Sequence, residues 1–184
     1  MDTQELIERY NRGETNFEKV DLHNQVFVDV NLHRINFKEA NLKGATFRNC
    51  NVLQGNFKEA NLTDVIVEKS DFTGVNFIQT NLQNSKFFEC DLTDASLRNA
   101  NLSGSNFAHS KLTCALLHDT NIRNADFSYT VMINSLLSRT NLTDANLQGA
   151  NLQGANLTNA IMINTNLEGA NLSLTQMNCI NGVG

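Results

Sequence analysis

Three side chains able to bind a metal or act in nucleophilic catalysis lie close together in the chain: His109, Cys114 and His118. Imidazole and thiolate groups are ligands that zinc prefers, and a Cys–His pair can also activate a nucleophile. Either chemistry requires the side chains to converge on one point. Whether they do depends on the elements that carry them, and therefore on the surrounding pattern of residues.

The surrounding sequence repeats every five residues. Each unit has a large apolar centre, a small residue two positions before it and usually Asn or Asp one position before it, as in 145–157. From Phe17 to Met177, all 33 centres are Leu, Phe, Met, Val or Ile. A helix would place successive centres about 140° apart, and a straight strand would alternate their sides. The chain must therefore turn a corner in every unit, with the centre and the small residue inside and Asn or Asp outside.

Centres twenty residues apart resemble one another, which predicts four units per coil. One such column reads Phe27, Phe47, Val67, Phe87, Phe107, Phe127. The second position after the centre is often Gly, Asn or Asp, which accept the positive φ of tight turns. The chain has no Pro, as expected where coils pair through backbone groups. We predict a square solenoid of about eight coils, about 40 Å long at the usual strand spacing.

This geometry separates the candidate chemical residues. His109, Cys114 and His118 fall on three successive sides of the rod, so they cannot ligate one metal ion. The carboxylates occupy outward positions, and a convex rod offers no recess for an active site. Gly149 and Gly154 are corner residues without the Lys and helix of a phosphate-binding loop. The sequence therefore predicts no catalytic residue, no metal site and no cofactor.

The repeated units resemble the pentapeptide repeat family, whose unit is written A(D/N)LXX. The resemblance covers about Thr15 to Met177. It implies an all-β solenoid, the right-handed quadrilateral β-helix, and the layout of the chain is similar to that of small cyanobacterial members. Relatives that inhibit or protect DNA gyrase are similar to duplex DNA in shape and acidic charge. The resemblance therefore also implies DNA mimicry as an alternative function.

A short helix is predicted before the repeats. Asp2 or Thr3 can cap it, and it should end near Asn11, before Gly13. We expect it to cover the first coil, because an open solenoid end exposes core and unpaired strand edge. The predicted organisation is a capping helix in 1–14, a β-helix in 15–177 and a C-terminal tail in 178–184.

Charge, hydropathy and cysteine content bear on the class of partner and on the cellular compartment. The net charge is −5, and no basic stripe is available for nucleic acid. No apolar run approaches a membrane span, and no signal peptide is recognisable, which favours the cytoplasm. Cys50 and Cys90 should lie on one side, two coils or roughly 10 Å apart, which is too far for a disulfide.

Several predicted outward positions are apolar. Leu116 and Leu136 take the Asn position on the same side of adjacent coils, and Val131 and Ile133 lie just before the corner. We identify these four residues as a candidate protein-contact patch; the alternative is that they turn partly inward. Other outward apolar residues are Val26, Val28, Ile66, Ile78, Phe88, Ile161 and Ile163.

The residues after Met177 are too few and too rich in Gly for a capping helix. Either two rods meet there as a homodimer, through Met177 and Ile180, or the end frays.

The sequence favours a non-enzymatic scaffold for a protein partner that it does not identify. The alternative is a DNA-mimicking inhibitor or protector of a type II topoisomerase. Mimicry requires carboxylates along the whole rod, and few are present in residues 93–184: Asp94, Asp119, Asp126, Asp144 and Glu168.

Overall fold

A computed structural model describes residues 1–182 of the 184-residue chain. One helix, α1 (Thr3–Asn11), precedes four short strands: β1 (Val26–Val28), β2 (Thr46–Arg48), β3 (Ile66–Glu68) and β4 (Lys86–Phe88). The strands form one parallel sheet in the order β1-β2-β3-β4. Partner residues are twenty apart, as in the pairing of Phe27 with Phe47.

The other three sides, and the strand side after β4, are held by single-residue parallel bridges with the same spacing of twenty. They run from Asn16–Asn36 at the start to Ile161–Asn181 at the end. We number the sides by their centres: face 1 from Phe17, face 2 from Leu22, face 3 from Phe27 and face 4 from Leu32. The predicted quadrilateral β-helix is confirmed.

Backbone hydrogen bonds explain why five residues complete one side. The N–H of a centre donates to the coil after it, as Phe17 does to Asn36 O at 2.7 Å, and the N–H of Asn36 donates back to Thr15 O at 2.8 Å. The corner is closed by a bond such as Gln25 N to Leu22 O at 3.2 Å. Each buried backbone group thus finds a partner without a long strand.

The corner residue is left-handed whether or not its side chain prefers that conformation. Gly44 has φ of 66°, and Lys19, Tyr129 and Leu174 have φ of 58°, 56° and 61°. An L-residue in this region costs roughly 1–2 kcal/mol. The ladder of hydrogen bonds imposes this conformation, so the frequent Gly, Asn and Asp lower its cost without being required.

The core is a narrow column of stacked side chains. The rings of Phe27 and Phe47 are 4.7 Å apart and nearly parallel, and those of Phe87 and Phe107 are 4.6 Å apart. The small residue of each unit packs beside the centres, as Ala95 and Ala155 do, each fully buried. Side chains of the same type therefore stack on one another along the rod.

Helix α1 covers the first coil. Asp2 is its N-cap, accepting from Glu5 N, and Leu6 is fully buried. Tyr10 donates its hydroxyl to His33 O at 2.9 Å. The backbone N–H of Thr3 donates to Gln25 Oε1 at 3.0 Å. The predicted capping helix is confirmed.

At the other end, the coil continues beyond Met177, where the sequence analysis places the last repeat. Met162 N donates to Asn181 O at 2.8 Å, and Asn181 N donates to Ala160 O. The residues of the predicted tail up to Asn181 therefore follow the coil, since their backbone meets the same ladder. Residues 183–184 lie outside the described residues.

Candidate contact surfaces

The outward Asn residues form ladders that belong to the fold. Asn36 Nδ2 donates to Asn16 Oδ1 at 2.8 Å, and Asn56 Nδ2 donates to Asn36 Oδ1 at 2.9 Å. The same Oδ1 of Asn36 accepts from Lys38 N at 3.2 Å, which fixes the start of the corner. These amides are therefore satisfied by the rod and are not available as a ligand site.

The predicted contact patch interrupts one of these ladders. Leu116 and Leu136 are bridged to each other on face 1, between Ser96 and Asn156. Val131 lies on face 4, next to Lys111 and Asn151 in its column. The structure brings Leu116 and Leu136 together, whereas Val131 and Ile133 lie on the preceding face. All four are half-buried, so each points partly outward.

Cationic groups flank the patch on face 1. Arg139 pairs with Asp119 through two contacts of 2.7 Å, and hydrogen bonding to Arg139 lowers the pKa of Asp119. His118 contacts the Ser138 hydroxyl. Burial, followed by the charges of Arg98 and Arg139, lowers the pKa of His118. Beside Leu116 and Leu136, the charge of Arg139 is therefore paired with Asp119, and the fold favours the neutral form of His118.

A second apolar surface lies on face 3, where the strands are. We call the outward residues of β1–β4 the strand face; they are Val26, Val28, Thr46, Arg48, Ile66, Glu68, Lys86 and Phe88. Val26, Val28 and Phe88 are 50%, 45% and 47% exposed. A shallow recess of about 220 Å³ lies beside Ile66 and Phe88. The middle of the strand face carries an ion pair, in which Arg48 Nε lies 2.7 Å from Glu68 Oε2.

Two corners on this face, after β2 and after β4, are unusual. At most corners of the rod, including the one at Ser110 on this face, the corner N–H bonds back to the centre carbonyl. The N–H of Cys50 instead donates to Ser70 Oγ at 3.0 Å, and that of Cys90 donates to Ser110 Oγ at 3.2 Å. The Cys50 thiol in turn donates to Phe27 O. After β2 and β4, a buried hydroxyl of the next coil thus takes the place of the turn hydrogen bond.

Sequence reasoning identified the apolar residues of the strand face one by one but not as one surface. Val26, Ile66 and Lys86 are spaced by multiples of twenty, as are Val28 and Phe88. That spacing was the available signal. The Cys and Ser residues in place of Ala gave no such signal, because Ser85, Ser105 and Ser135 on other faces keep the ordinary corner bond.

The side chains considered for chemistry point to separate structural roles. The His109 ring stacks on Tyr129 with centroids 5.3 Å apart, and Phe88 meets His109 edge-on at 6.4 Å. Cys114 lies half-buried at a corner. Within residues 1–182, no three His, Cys, Asp or Glu side chains are placed to hold a metal ion.

The last coil is less buried than those before it. Met162 is 2% exposed, whereas Leu167, Leu172, Met177 and Ile180 are only partly buried against the core.

The described residues contain no helix that is long and apolar enough to cross a membrane.

Comparisons with known proteins agree with the repeat geometry. A family profile described as "Pentapeptide repeat region" matches residues 13–71, 45–115 and 70–147, and one described as "Pentapeptide repeats" matches residues 135–173. No curated protein matches the chain significantly.

Solved structures of similar architecture include three that cover most of the chain. HetL, a pentapeptide repeat protein involved in heterocyst differentiation regulation from the cyanobacterium Nostoc sp. strain PCC 7120, is 23% identical over 98% of this chain and 94% of its own, with a TM-score of 0.29. Rfr23 from the cyanobacterium Cyanothece 51142 is 17% identical over 98% and 100%, with a TM-score of 0.29.

QnrB1, a plasmid-mediated fluoroquinolone resistance protein, is 16% identical over 89% of this chain and 86% of its own, with a TM-score of 0.54. At this identity, the likeness concerns the fold alone. The five-residue ladder, its corners and the profile matches from residue 13 to residue 173 together identify the chain as a member of the pentapeptide repeat family.

Proposed function

We propose that this protein is a non-enzymatic scaffold that binds a protein partner through the patch Leu116, Val131, Ile133 and Leu136. One observation carries the proposal: Leu116 and Leu136 stand at the position where Asn16, Asn36 and Asn56 of the same face hydrogen-bond from coil to coil. An apolar side chain at this position forgoes that bond and leaves apolar surface partly exposed. Such a patch is typical of a contact surface.

The test uses the ladder itself. Leu116→Asn together with Leu136→Asn extends the residue type of Asn156 to both positions, so we expect an unchanged or higher Tm and loss of the partner. The matched control is Ile161→Asn, which makes the same exchange between Asn141 and Asn181 on face 2. A partner crosslinked from the native host should bind wild type and the control but not the double variant. Equal capture by all three would refute the patch.

DNA mimicry remains the alternative carried over from the family resemblance. A mimic needs unpaired carboxylates along its faces to reproduce the phosphates. Here Lys19 lies 3.4 Å from Glu39, Lys58 lies 3.2 Å from Glu59 and Arg139 pairs with Asp119. This interleaving favours the scaffold. Inhibition of gyrase supercoiling at low micromolar protein would reverse the order of the two functions.

We also propose that the last coil, with Met177 and Ile180, contacts a second copy of the chain. The reduced burial of Leu167, Leu172, Met177 and Ile180 supports this contact, because a partner would complete their packing. Met177→Lys should halve the mass seen by light scattering. A clean wild-type monomer at high concentration would contradict the contact.

The setting we propose is the cytoplasm. All four cysteines are free, and Cys50 and Cys90 are buried as thiols. Free thiols in every position are typical of a reducing compartment. Mass spectrometry of the protein isolated from its host should therefore find all four unoxidised; an intermolecular disulfide at Cys179 would argue against this setting.

A further inference from the structure

We infer that the strand face is a second self-association surface, on which the strand face of another copy of this chain lies with the two rods antiparallel. A parallel sheet is ordinarily covered on both sides. This one has the core on one side, and on the other it exposes Val26, Val28 and Phe88 by about half. The exposed rows are flat, because the strands are in register without a bulge.

The outward residues are arranged symmetrically about the middle of the sheet. The outer strands carry the most exposed apolar groups, Val26 and Val28 on β1 and Phe88 on β4. The inner strands carry opposite charges at equivalent positions, Arg48 on β2 and Glu68 on β3. Two copies of such a surface are complementary when a two-fold axis through the middle of the sheet relates them.

A two-fold axis parallel to the strands, between β2 and β3, makes the rods antiparallel. It places β1 opposite β4 of the second copy and β2 opposite β3. Val28 then faces Phe88 and Arg48 faces Glu68, and each contact occurs twice. Thr46 faces Ile66, and Val26 meets the aliphatic part of Lys86.

The other in-plane axis runs along the rod and gives parallel rods. It places Glu68 opposite Ile66 of the second copy, and Arg48 opposite Thr46. Each carboxylate is then desolvated against an apolar group without a new partner, which is costly. Charge complementarity therefore selects the antiparallel pair.

The contact is small. Four strands at ~4.8 Å spacing and three residues each make a footprint of about 20 Å by 10 Å. This is below the ~800 Å² per partner of a standard stable interface. The dimer is consequently weak, with a Kd of about 100 μM, and forms where the chain is locally concentrated.

The experiment is sedimentation equilibrium up to about 0.5 mM, several times the expected Kd. All chains carry Met177→Lys, so that the contact proposed for the last coil does not contribute. This background should still dimerise through the strand face. A background chain that stays monomeric throughout overturns the inference, while leaving the partner patch and the last-coil contact untouched.

Complementation identifies the geometry. Arg48→Glu alone places Glu opposite Glu68, and Glu68→Arg alone places Arg opposite Arg48, so each variant should remain monomeric. An equimolar mixture of the two should dimerise as well as the background chain, because every charge then meets its opposite. Failure of the mixture to recover dimer, or dimerisation of either variant alone, overturns the antiparallel pair.

Two controls separate association from folding. Lys19→Glu and Glu39→Lys disturb an equivalent pair between coils on face 1, and each alone should dimerise like the background chain. Far-UV circular dichroism and Tm verify that the Arg48 and Glu68 variants are folded. Phe88→Glu supplies an independent disruption, since it buries a charge against Val28. Dimerisation that survives Phe88→Glu overturns the inference as well.

Discussion

At the second position after each centre, φ lies between 49° at Lys69 and 69° at Gly154, whatever the side chain. Single residues therefore matter most at the corner, where backbone strain and side-chain contacts between coils coincide. Gly149 shows both, because the Tyr129 ring lies where a Cβ would be.

We predict that Gly149→Ala destabilises the rod more than Gly74→Ala does. Their φ values are alike, 64° and 65°, so both variants lose about 1–2 kcal/mol to the left-handed backbone. At Gly149, however, a Cβ would lie 2.6 Å from Tyr129 Cδ1, whereas at Gly74 the nearest atom is 3.5 Å away. The ring must move and give up its stacking on His109, at a further cost of about 0.5–1.5 kcal/mol.

Urea unfolding of both variants measures this difference. In a Tyr129→Ala background, Gly149→Ala should lose about as much free energy of unfolding as Gly74→Ala does. Each alanine variant is compared with the parent protein that keeps its glycine. Equal losses for the two alanine variants, with Tyr129 present, would show that the ring does not constrain position 149.

The four thiols should divide into two reactive and two inert. Burial raises the pKa of Cys90 to about 12 and raises the pKa of Cys50. The thiolate is the reacting species, so alkylation at pH 8 should modify Cys179 and Cys114 and spare the buried pair. Mass spectrometry of iodoacetamide-treated protein checks this. Modification of Cys90 without urea would show that face 3 opens in the native state.

At the scale of the element, the corners at Cys50 and Cys90 on face 3 differ from most others because a buried hydroxyl replaces a backbone bond. Ser70 Oγ accepts from Cys50 N and donates to Glu68 O at 2.8 Å. Ser85 is fully buried, and its Oγ has no partner. Two serines at inward positions thus have opposite consequences for stability.

Ser70→Ala should lower the free energy of unfolding by about 1–3 kcal/mol, because it leaves the N–H of Cys50 unsatisfied. Ser85→Ala is the matched variant. It removes an unpaired hydroxyl and creates the common Ala of the repeat, so stability should be unchanged or rise by about 1 kcal/mol. Chemical denaturation measures both. A loss at Ser85 equal to that at Ser70 would refute this assignment of the hydroxyls.

At the scale of the whole molecule, charge is concentrated in the N-terminal half and each coil contacts only its neighbours. Stability is therefore close to a sum over coils and their interfaces. The groups whose pKa the fold shifts lie on several coils, so acid should act on the rod at more than one place.

Lowering the pH should destabilise the rod in two steps. The pKa of His118 is lowered, mainly by burial, so the fold favours its neutral form, and that contribution is lost as the pH falls below 6.5. The pKa values of Glu14 and Asp119 are lowered by hydrogen bonds to Arg9 and Arg139. Their contribution is present above their ordinary pKa near 4 and is lost as the pH falls through their lowered values.

Tm measured from pH 8 to pH 3 should show both steps. His118→Asn should remove the first step and leave the second. A Tm that falls between pH 7 and pH 5.5 equally in wild type and in His118→Asn would exclude His118 as the cause.

The sequence determined the architecture of this protein. A period of five can bury Leu and Phe only if every unit turns a corner, and likeness at a spacing of twenty sets four corners. The helix cap was equally local, since Asp2, Leu6 and Gly13 specify its ends and its buried side.

Tertiary structure alone decided which outward residues share a surface. Val26, Ile66 and Phe88 are distant in sequence and lie on one surface only because coils stack in register. It also decided the bonds at two corners of face 3, where a hydroxyl of one coil accepts from the backbone of another, as Ser70 does from Cys50. The local pattern specifies whether a side chain points inward or outward. Its contacts between coils depend on the residues that lie twenty positions away, in the adjacent coils.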